Sequence, residues 1–446
     1  MTDTALPGAS LRPVSPLRAE TSALLRLAGP MTLVALINMA MTLTDTLMAA
    51  SIGAAALASV AVGSDFYSII FVFAAGTISA LAPLYAAAAE AGDTSRLRRL
   101  RAAGWMLALL LTVAAVPLIW TAPGYLCQLG IPEALLEEGR GYTRAMAATL
   151  VPMLVVAVLR NRLLALERPG LIARVTACAI PANAALNWFL MHGAGNWNGF
   201  GVTGLGLSSL LVACGIAGAL WLACKRHGDQ GFDFAATAEL REALRVGLPI
   251  GFTMLAELGV FLGTTLFAAR FGAEAAAAHA LTIRLAGIAY AVSIGLQQAA
   301  TVRMARRADV GDRWLPSIAG TRLGLAAGLA HAAILGAVAV PLASAVLQDP
   351  ATAATATGLI MLLALSELLV PLGAVAAGLM RGLKDTRMPM VYSLLGNWGV
   401  TLPTALLLTA ADLGVTGLWL ALSSGSLIAS ALTALRLRRY RALRLA

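Results

Sequence analysis

The sequence predicts an all-α integral membrane protein: twelve transmembrane helices in two six-helix lobes, related by a pseudo-twofold axis along the membrane normal. Three observations predict it. The 446 residues are 59% apolar and 12% charged, with a mean hydropathy of +0.82, far from the roughly 45–50% and 25% of soluble domains. The apolar residues fall in runs such as "WMLALLLTVAAVPLIW", apolar all round and without the period-two alternation of a β-barrel strand. A fixed offset of 219 residues relates the first half of the chain to the second.

A helix needs about 20 apolar residues to cross a bilayer, and hydropathy read with helix breakers places spans near 27–52, 56–88, 102–122, 143–164, 171–192, 203–224, 247–270, 274–304, 316–347, 355–380, 389–410 and 414–435. The net charge of +10 could suggest a nucleic-acid partner, but the bases punctuate the apolar runs instead of gathering on one soluble segment. They follow the even-numbered spans: Arg96, Arg98, Arg99 and Arg101; Arg160, Arg162 and Arg168; Lys225 and Arg226; Arg303, Arg306 and Arg307; Arg381, Lys384 and Arg387; and the tail "RLRRYRALR". The odd-numbered exits carry "PEALLEEGR", Asp349 and Asp412. The positive-inside rule then puts both termini in the cytoplasm, which twelve spans satisfy and eleven do not. The polar leader "MTDTALPGASLRPVSPLRAE" precedes a span too long for a signal-peptide core and is expected to be retained. Cys127, Cys178, Cys214 and Cys224 have neither CxxC nor zinc spacing and are read as free thiols.

The offset runs without a gap from Pro30 and Pro249 to Asp93 and Asp312. Along it Leu36 meets Leu255, Leu43 meets Leu262, Thr46 meets Thr265, Gly53 meets Gly272, Gly76 meets Gly295 and Gly92 meets Gly311. Later, "GVTGL" at 201–205 recurs at 414–418. The chain therefore divides into an N-lobe, 1–228, and a C-lobe, 229–446, joined by the polar segment "KRHGDQGFDFAATAELREALR". Six spans per half give both halves the same sense in the membrane, the parallel repeat of secondary transporters.

A carboxylate near the middle of a membrane helix costs about 2.5–3.5 kcal/mol on insertion scales and must be kept from lipid. The deep acids are Asp45 in span 1, Asp65 in span 2, Glu257 in span 7 and Glu367 in span 10, with Arg174 and Arg284 as cations. Asp45 lies about 22 Å of helix rise beyond Pro30, in the outer half of the membrane, whereas Glu257, eight residues past Pro249, sits closer to the midplane. Glu257 corresponds to Asn38 and Asp45 to Thr264, so the halves carry their acids at different depths. No base lies one turn from Asp45 or Glu257, and unpaired acids of this kind mark ion or substrate paths. Asp65 and Arg284 are equivalent under the repeat and are expected to face each other as a structural ion pair. Asn183 and Asn187, four apart on one face of span 5, can ligate a cation or serve as interhelical glue. Asn38 in span 1 is a further pocket candidate, and Gln297 and Gln298 in span 8 and Asn397 in span 11 are weaker ones, while His192, His279 and His331 read as packing or interfacial residues.

The stretches "LAGPMTLVALINMAMTLTDTLMAASIGAAALASVAVG", "VGLPIGFTMLAELGVFLGTTLFAARFGAEAAAAHALTIR", "AAGLMRGLKDTRMPM" and "NWGVTLPTALLL" resemble spans 1, 7–8, 10 and 11 of the multidrug and toxic compound extrusion (MATE) transporters, in their NorM-like branch. The resemblance covers nearly the whole chain. It implies a V-shaped pair of lobes in a bacterial inner (plasma) membrane that expels small organic cations in exchange for Na⁺ or H⁺. By position it makes Asp45 the N-lobe acid, Glu257 the C-lobe acid and Asn183 the fifth-span asparagine, with Na⁺ held at Asp45 or Glu257. Two departures stand out. Asn187 occupies the place of a second aspartate in one branch, which argues against a proton relay between spans 1 and 5. Val370 aligns with the family's usual span-10 aspartate, and Glu367, one turn earlier, is its expected substitute.

No cofactor beyond the coupling ion is expected, and the chain is expected to act as a monomer with the bilayer and small cations as partners. An enzyme is disfavoured because HExxH and GxSxG are absent. A lipid-linked precursor flippase of the same superfamily is the alternative; it would want a cationic cavity, whereas the deep residues are mainly acids.

Overall fold

A computed structural model describes residues 15–129, 133–226, 236–307 and 314–442. The start of the polar leader, much of the segment between the halves and the last basic residue, Arg444, lie outside them. Twelve spans are present: Pro16–Ile52, Ala55–Glu90, Thr94–Trp120, Arg140–Ala165, Pro169–His192, Val202–Arg226, Thr237–Thr265, Glu274–Arg306, Leu315–Val346, Pro350–Gly382, Arg387–Ala410 and Gly414–Arg438. Among the described residues the extended pairing is limited to one isolated bridge, Ala194 with Trp197.

Spans 1, 3 and 7 begin about two to three turns before their apolar runs. Their polar first turns are stabilised by caps and ion pairs that hydropathy does not register. Pro16 follows an N-cap in which Arg18 N donates to Ser15 Oγ at 3.3 Å. At span 3, Arg96 N and Ser95 Oγ both donate to Asp93 Oδ1 at 2.9 Å, and these bonds, the backbone one foremost, hold the Asp93 carboxyl below the usual carboxylate range.

The lobes meet where spans 1 and 2 face spans 8 and 7. Thr32 packs on Gly295, where an added Cβ would stand 2.3 Å from Thr32 Oγ1; Gly76 packs on Gly251, its own added Cβ 2.9 Å from the Gly251 Cα. Under the 219-residue offset Thr32 becomes Gly251 and Gly76 becomes Gly295, so these are two copies of one contact around a pseudo-twofold axis. The lack of a side chain on one partner lets two backbones approach, the usual device where lipid supplies no hydrophobic drive.

At the arginine-rich end the interface is ionic. Arg303 of span 8 donates from Nε and Nη2 to the two oxygens of Glu20 in span 1, both at 2.7 Å, and from Nη1 to Glu167 at 2.6 Å. Arg307 reaches Glu20 at 3.3 Å and Arg306 reaches Glu90 at 3.2 Å. Across the axis, Arg99 donates to Glu239 at 2.6 Å, and Arg96 and Lys384 converge on Glu242. Glu20 and Glu239 are themselves repeat equivalents. Among the described residues, no hydrogen bond or ion pair joins the lobes at the other end.

Two spans are interrupted inside the C-lobe. Span 10 breaks between Pro350–Glu367 and Val370–Gly382, where Pro371 supplies no N–H to the preceding turn. Span 11 widens into a π-helical turn over Leu395–Val400, a local change of register often found at functional sites.

Candidate functional site

In the N-lobe, Asn187 Nδ2 donates to Asp45 Oδ1 at 2.5 Å and lies 3.4 Å from Asn183 Oδ1. The shared face of span 5 read from the sequence thus meets the acid of span 1. Ser208 of span 6 donates to the Asn183 backbone carbonyl at 3.4 Å and braces the span from behind. Asn183 and Asn187 are 1% and 0% exposed. Even so, Asn187 Oδ1 and Asn183 Nδ2 have no hydrogen-bond partner, although Asn183 lies beside the same carboxylate. A buried unsatisfied amide costs about 1–3 kcal/mol, so the site is built one ligand short: it offers the free carbonyl oxygen of Asn187 next to a carboxylate that no base pairs. Tyr142 of span 4, not anticipated from sequence, is buried within range of the charges of both Asp45 and Asp65.

The C-lobe holds a cavity of about 160 Å³ lined by residues of spans 7, 8, 10, 11 and 12, among them Glu257, Tyr290, Glu367 and Arg381. Tyr290 Oη donates to Glu257 Oε2 at 3.1 Å and Ser393 Oγ donates to Oε1 at 3.4 Å; Asn397 Nδ2 donates to Ser393 Oγ at 3.0 Å. The π-helical turn carries Asn397 and Trp398, whose Nε1 donates to the Ala256 carbonyl at 3.2 Å. It thereby ties span 11 to the residue beside the acid. Glu367, at the helix break, enters the same cavity as Glu257, and Val370 also lines it.

Several expectations change here. No hydrogen bond or ion pair joins Asp65 to Arg284; both side chains are exposed on their own spans. Repeat equivalence puts them in matching places of two lobes, which does not require them to meet. His331 is more than a packing residue: its Nδ1 lies 2.8 Å from Glu367 Oε2, joining spans 9 and 10. His279 is buried, accepting at Nδ1 from Trp419 Nε1 at 3.1 Å while Nε2 lies 3.2 Å from Thr265 Oγ1; that pattern calls for a neutral ring with its proton on Nε2. Asn38 is exposed, and its side chain has no bond to the Asp45 cluster. Gln297 accepts from Arg381 Nη1 at 2.8 Å. Arg174 is exposed and donates to the Gly170 carbonyl. Tyr290, Ser393 and Arg381 were not legible as site residues, because a tyrosine, a serine and an arginine in the last turn of a span carry no distinctive spacing.

The MatE family model matches the chain twice, over residues 30–189 and 249–407. The chain belongs to the MatE family. The two matches begin at Pro30 and Pro249, the first aligned pair of the internal repeat. Among curated MATE relatives, it is 34% identical to a probable multidrug resistance protein NorM of Mesorhizobium japonicum over 95% of each chain. It is 32% identical to the multidrug resistance protein NorM of Burkholderia vietnamiensis over 90% of each. Among solved structures, a MATE in the straight conformation superposes with a TM-score of 0.86 at 19% identity, covering 96% of this chain and 97% of that one. The eukaryotic MATE transporter AtDTX14 gives 0.83 at 18%, covering 96% and 100%. These structural likenesses establish the MATE fold of twelve helices in two lobes.

Proposed function

We propose that this chain is a multidrug efflux antiporter of a bacterial inner membrane that exports lipophilic organic cations in exchange for Na⁺ or H⁺. The observation that carries the reading is Asp45: a carboxylate deep in the membrane whose partner is a neutral amide and not a base, with an unsatisfied amide oxygen beside it. Such a site attracts a positive species. Its oxygens, the Asp45 carboxylate with Asn187 Oδ1 and Asn183 Oδ1, are the hard donors that suit Na⁺; protonation of the carboxylate would serve equally to discharge the site. The C-lobe cavity adds Glu257 and Glu367 against one arginine, a balance that favours cations over the pyrophosphate of a lipid-linked precursor.

The closed, ionic end carries the basic exits and, by the positive-inside rule, faces the cytoplasm. The lobes are therefore held together inside and free of polar ties outside, an outward-facing form. In that form the coupling ion displaces the organic cation by competition. One charge crossing 100 mV is worth about 2.3 kcal/mol, and a bias of that size shifts a two-state equilibrium by about fiftyfold. Apolar walls that include Phe261, Val260, Leu363 and Trp419 accept varied lipophilic surfaces.

The test is efflux of a cationic dye from proteoliposomes under an imposed Na⁺ or proton gradient, comparing the native chain with Asp45→Asn and Glu257→Gln. Export should follow one of the two gradients and drop in both variants. Undiminished export in both would remove the mechanism.

A further inference from the structure

The C-lobe cavity contains a charge that export of cations does not call for. Arg381 is 7% exposed and lines the same cavity as Glu257 and Glu367, yet it makes an ion pair with neither. Its Nη1 donates to Gln297 Oε1 at 2.8 Å and its Nε has no hydrogen-bond partner. A guanidinium removed from water with a neutral amide as its bonded partner is poorly compensated; the charge that offsets it is Glu257, near enough to feel its field. Span 8 sets the separation. Tyr290, which holds Glu257, and Gln297, which holds Arg381, stand seven residues apart, two turns along one helix face and about 10 Å of rise. The acid and the base, both on the wall of one cavity, are thus each bonded to a residue of the same helix two turns apart.

We propose that Arg381 is a built-in stand-in for the transported cation: it balances Glu257 when the cavity is empty and is the charge an incoming cation must overcome. The inference rests on the reading of Glu257 as a cation-binding acid. Three consequences follow from the geometry. The empty C-lobe can rock without carrying an uncompensated carboxylate. The affinity for organic cations is set below what the acid alone would give. Gln297 is the tether that keeps Arg381 from collapsing onto Glu257 and closing the cavity. The plainer role, an arginine that merely ties span 10 to span 8, predicts the opposite sign on substitution, since loosening a structural contact weakens a site or leaves it unchanged.

The experiment is equilibrium binding of ethidium to the full chain in detergent at alkaline pH, where carboxylates are ionised, with melting temperature as the check on folding. Arg381→Gln should bind ethidium about tenfold more tightly or better, the scale on which one opposite charge acts on a neighbouring acid; Arg381→Lys, which keeps the charge, should bring the affinity back to that of the native chain. Glu257→Gln should abolish the tight binding in the Arg381→Gln background. If Arg381→Gln binds equally or more weakly while Glu257→Gln still loses binding, the stand-in role is wrong and the acid's role survives. If Glu257→Gln binds as the native chain does, the underlying reading falls and the inference with it. Should Arg381→Gln not fold, Gln297→Leu decides. Release of the tether should weaken ethidium binding several-fold at unchanged melting temperature, and unchanged or tighter binding overturns the proposal.

Discussion

Replacing Glu20 by glutamine should open the arginine-rich end of the molecule. The Glu20 side chain is 1% exposed and takes both of its oxygens to Arg303 at 2.7 Å, with Arg307 at 3.3 Å. A glutamine keeps one acceptor, turns the other position into a donor facing a guanidinium N–H, and removes the charge. Breaking a buried pair by deleting one partner costs about 3–5 kcal/mol. Arg303 retains Glu167 at 2.6 Å, which places the loss at the lower end, about 3 kcal/mol. Because this contact joins the two lobes, the cost falls on the form closed at that end, and the ratio of the two forms should move by about a hundredfold.

The repeat equivalent supplies the internal comparison. Glu239 meets Arg99 through one bond at 2.6 Å, and that arginine is 29% exposed, so Glu239→Gln should cost about 1 kcal/mol, as a partly solvated pair does. The assay is a spin-label distance measured between Thr121 and Leu347, at the opposite ends of spans 3 and 9, in a cysteine-free background. In Glu20→Gln the longer-distance population should shrink in favour of a shorter one, with a much smaller change in Glu239→Gln. Identical distance distributions in native and Glu20→Gln chains would refute the latch; equal effects of the two substitutions would refute the burial argument that ranks them.

Asn187→Leu removes the donor to Asp45 and should lower dye export by at least about tenfold, given the roughly 1.5–3 kcal/mol of a hydrogen bond to a charged group, without loss of folded protein; native export rates would contradict the site. His331→Leu strands the buried Glu367 carboxylate and should lower the melting temperature, whereas His331→Gln, which can still donate, should lower it less. Gly295→Leu cannot coexist with Thr32 Oγ1 and the Ala28 carbonyl, both within 3 Å of its Cβ position. It should abolish export, with Gly358→Ala, which meets nothing within 4 Å, as the neutral control. At the start of span 10, Thr352 donates from Oγ1 and N to Asp349 Oδ2 at 2.7 Å, and these bonds, the side-chain one foremost, hold that carboxyl below its usual range. A carboxyl lowered in this way stabilises the fold fully above its ordinary value and loses the effect as pH falls through the lowered one. The melting-temperature gap between native and Asp349→Ala chains should therefore be present at neutral pH and close in acid.

Hydropathy located all twelve spans because hydrocarbon punishes polar residues strongly enough to write the span pattern into composition. It missed the first turns of spans 1, 3 and 7, because their helices are stabilised by caps and interlobe ion pairs that leave no apolar signature. Asn183 and Asn187 were legible as a pair because four residues on one helix make one face. Their meeting with Asp45 required the approach of spans 1 and 5, which no local pattern encodes. Glu367 was legible as a displaced acid, but its partner His331 lies 36 residues away on another span, and a lone histidine gives no sign of which carboxylate it will find. The Asp65–Arg284 pairing failed for a related reason: an offset tells which residues are equivalent, and equivalence under a twofold axis brings residues together only when they lie close to that axis.

That distinction explains how the molecule divides its work. The contacts the repeat preserves, Thr32 on Gly295 with Gly251 on Gly76, are a symmetric pair around the pseudo-twofold axis, the arrangement a joint needs if both lobes are to turn by matching amounts. The Glu20 and Glu239 clamps preserve the same acid at the closed end but draw their arginines from different spans, so the latch is symmetric in place and unequal in strength. Away from the axis the repeat imposes nothing, and the chemistry departs: Asp45 faces a threonine's place in the other lobe, and Glu257 faces an asparagine's. One lobe sets its acid against two amides with an oxygen to spare; the other sets its acid against a phenol, a serine and, across a cavity, an arginine. Under the proposed antiport, unlike acids on a common joint would put two chemically different cation sites under one motion, and a gradient would drive export only if a bound cation favours one form of the carrier over the other.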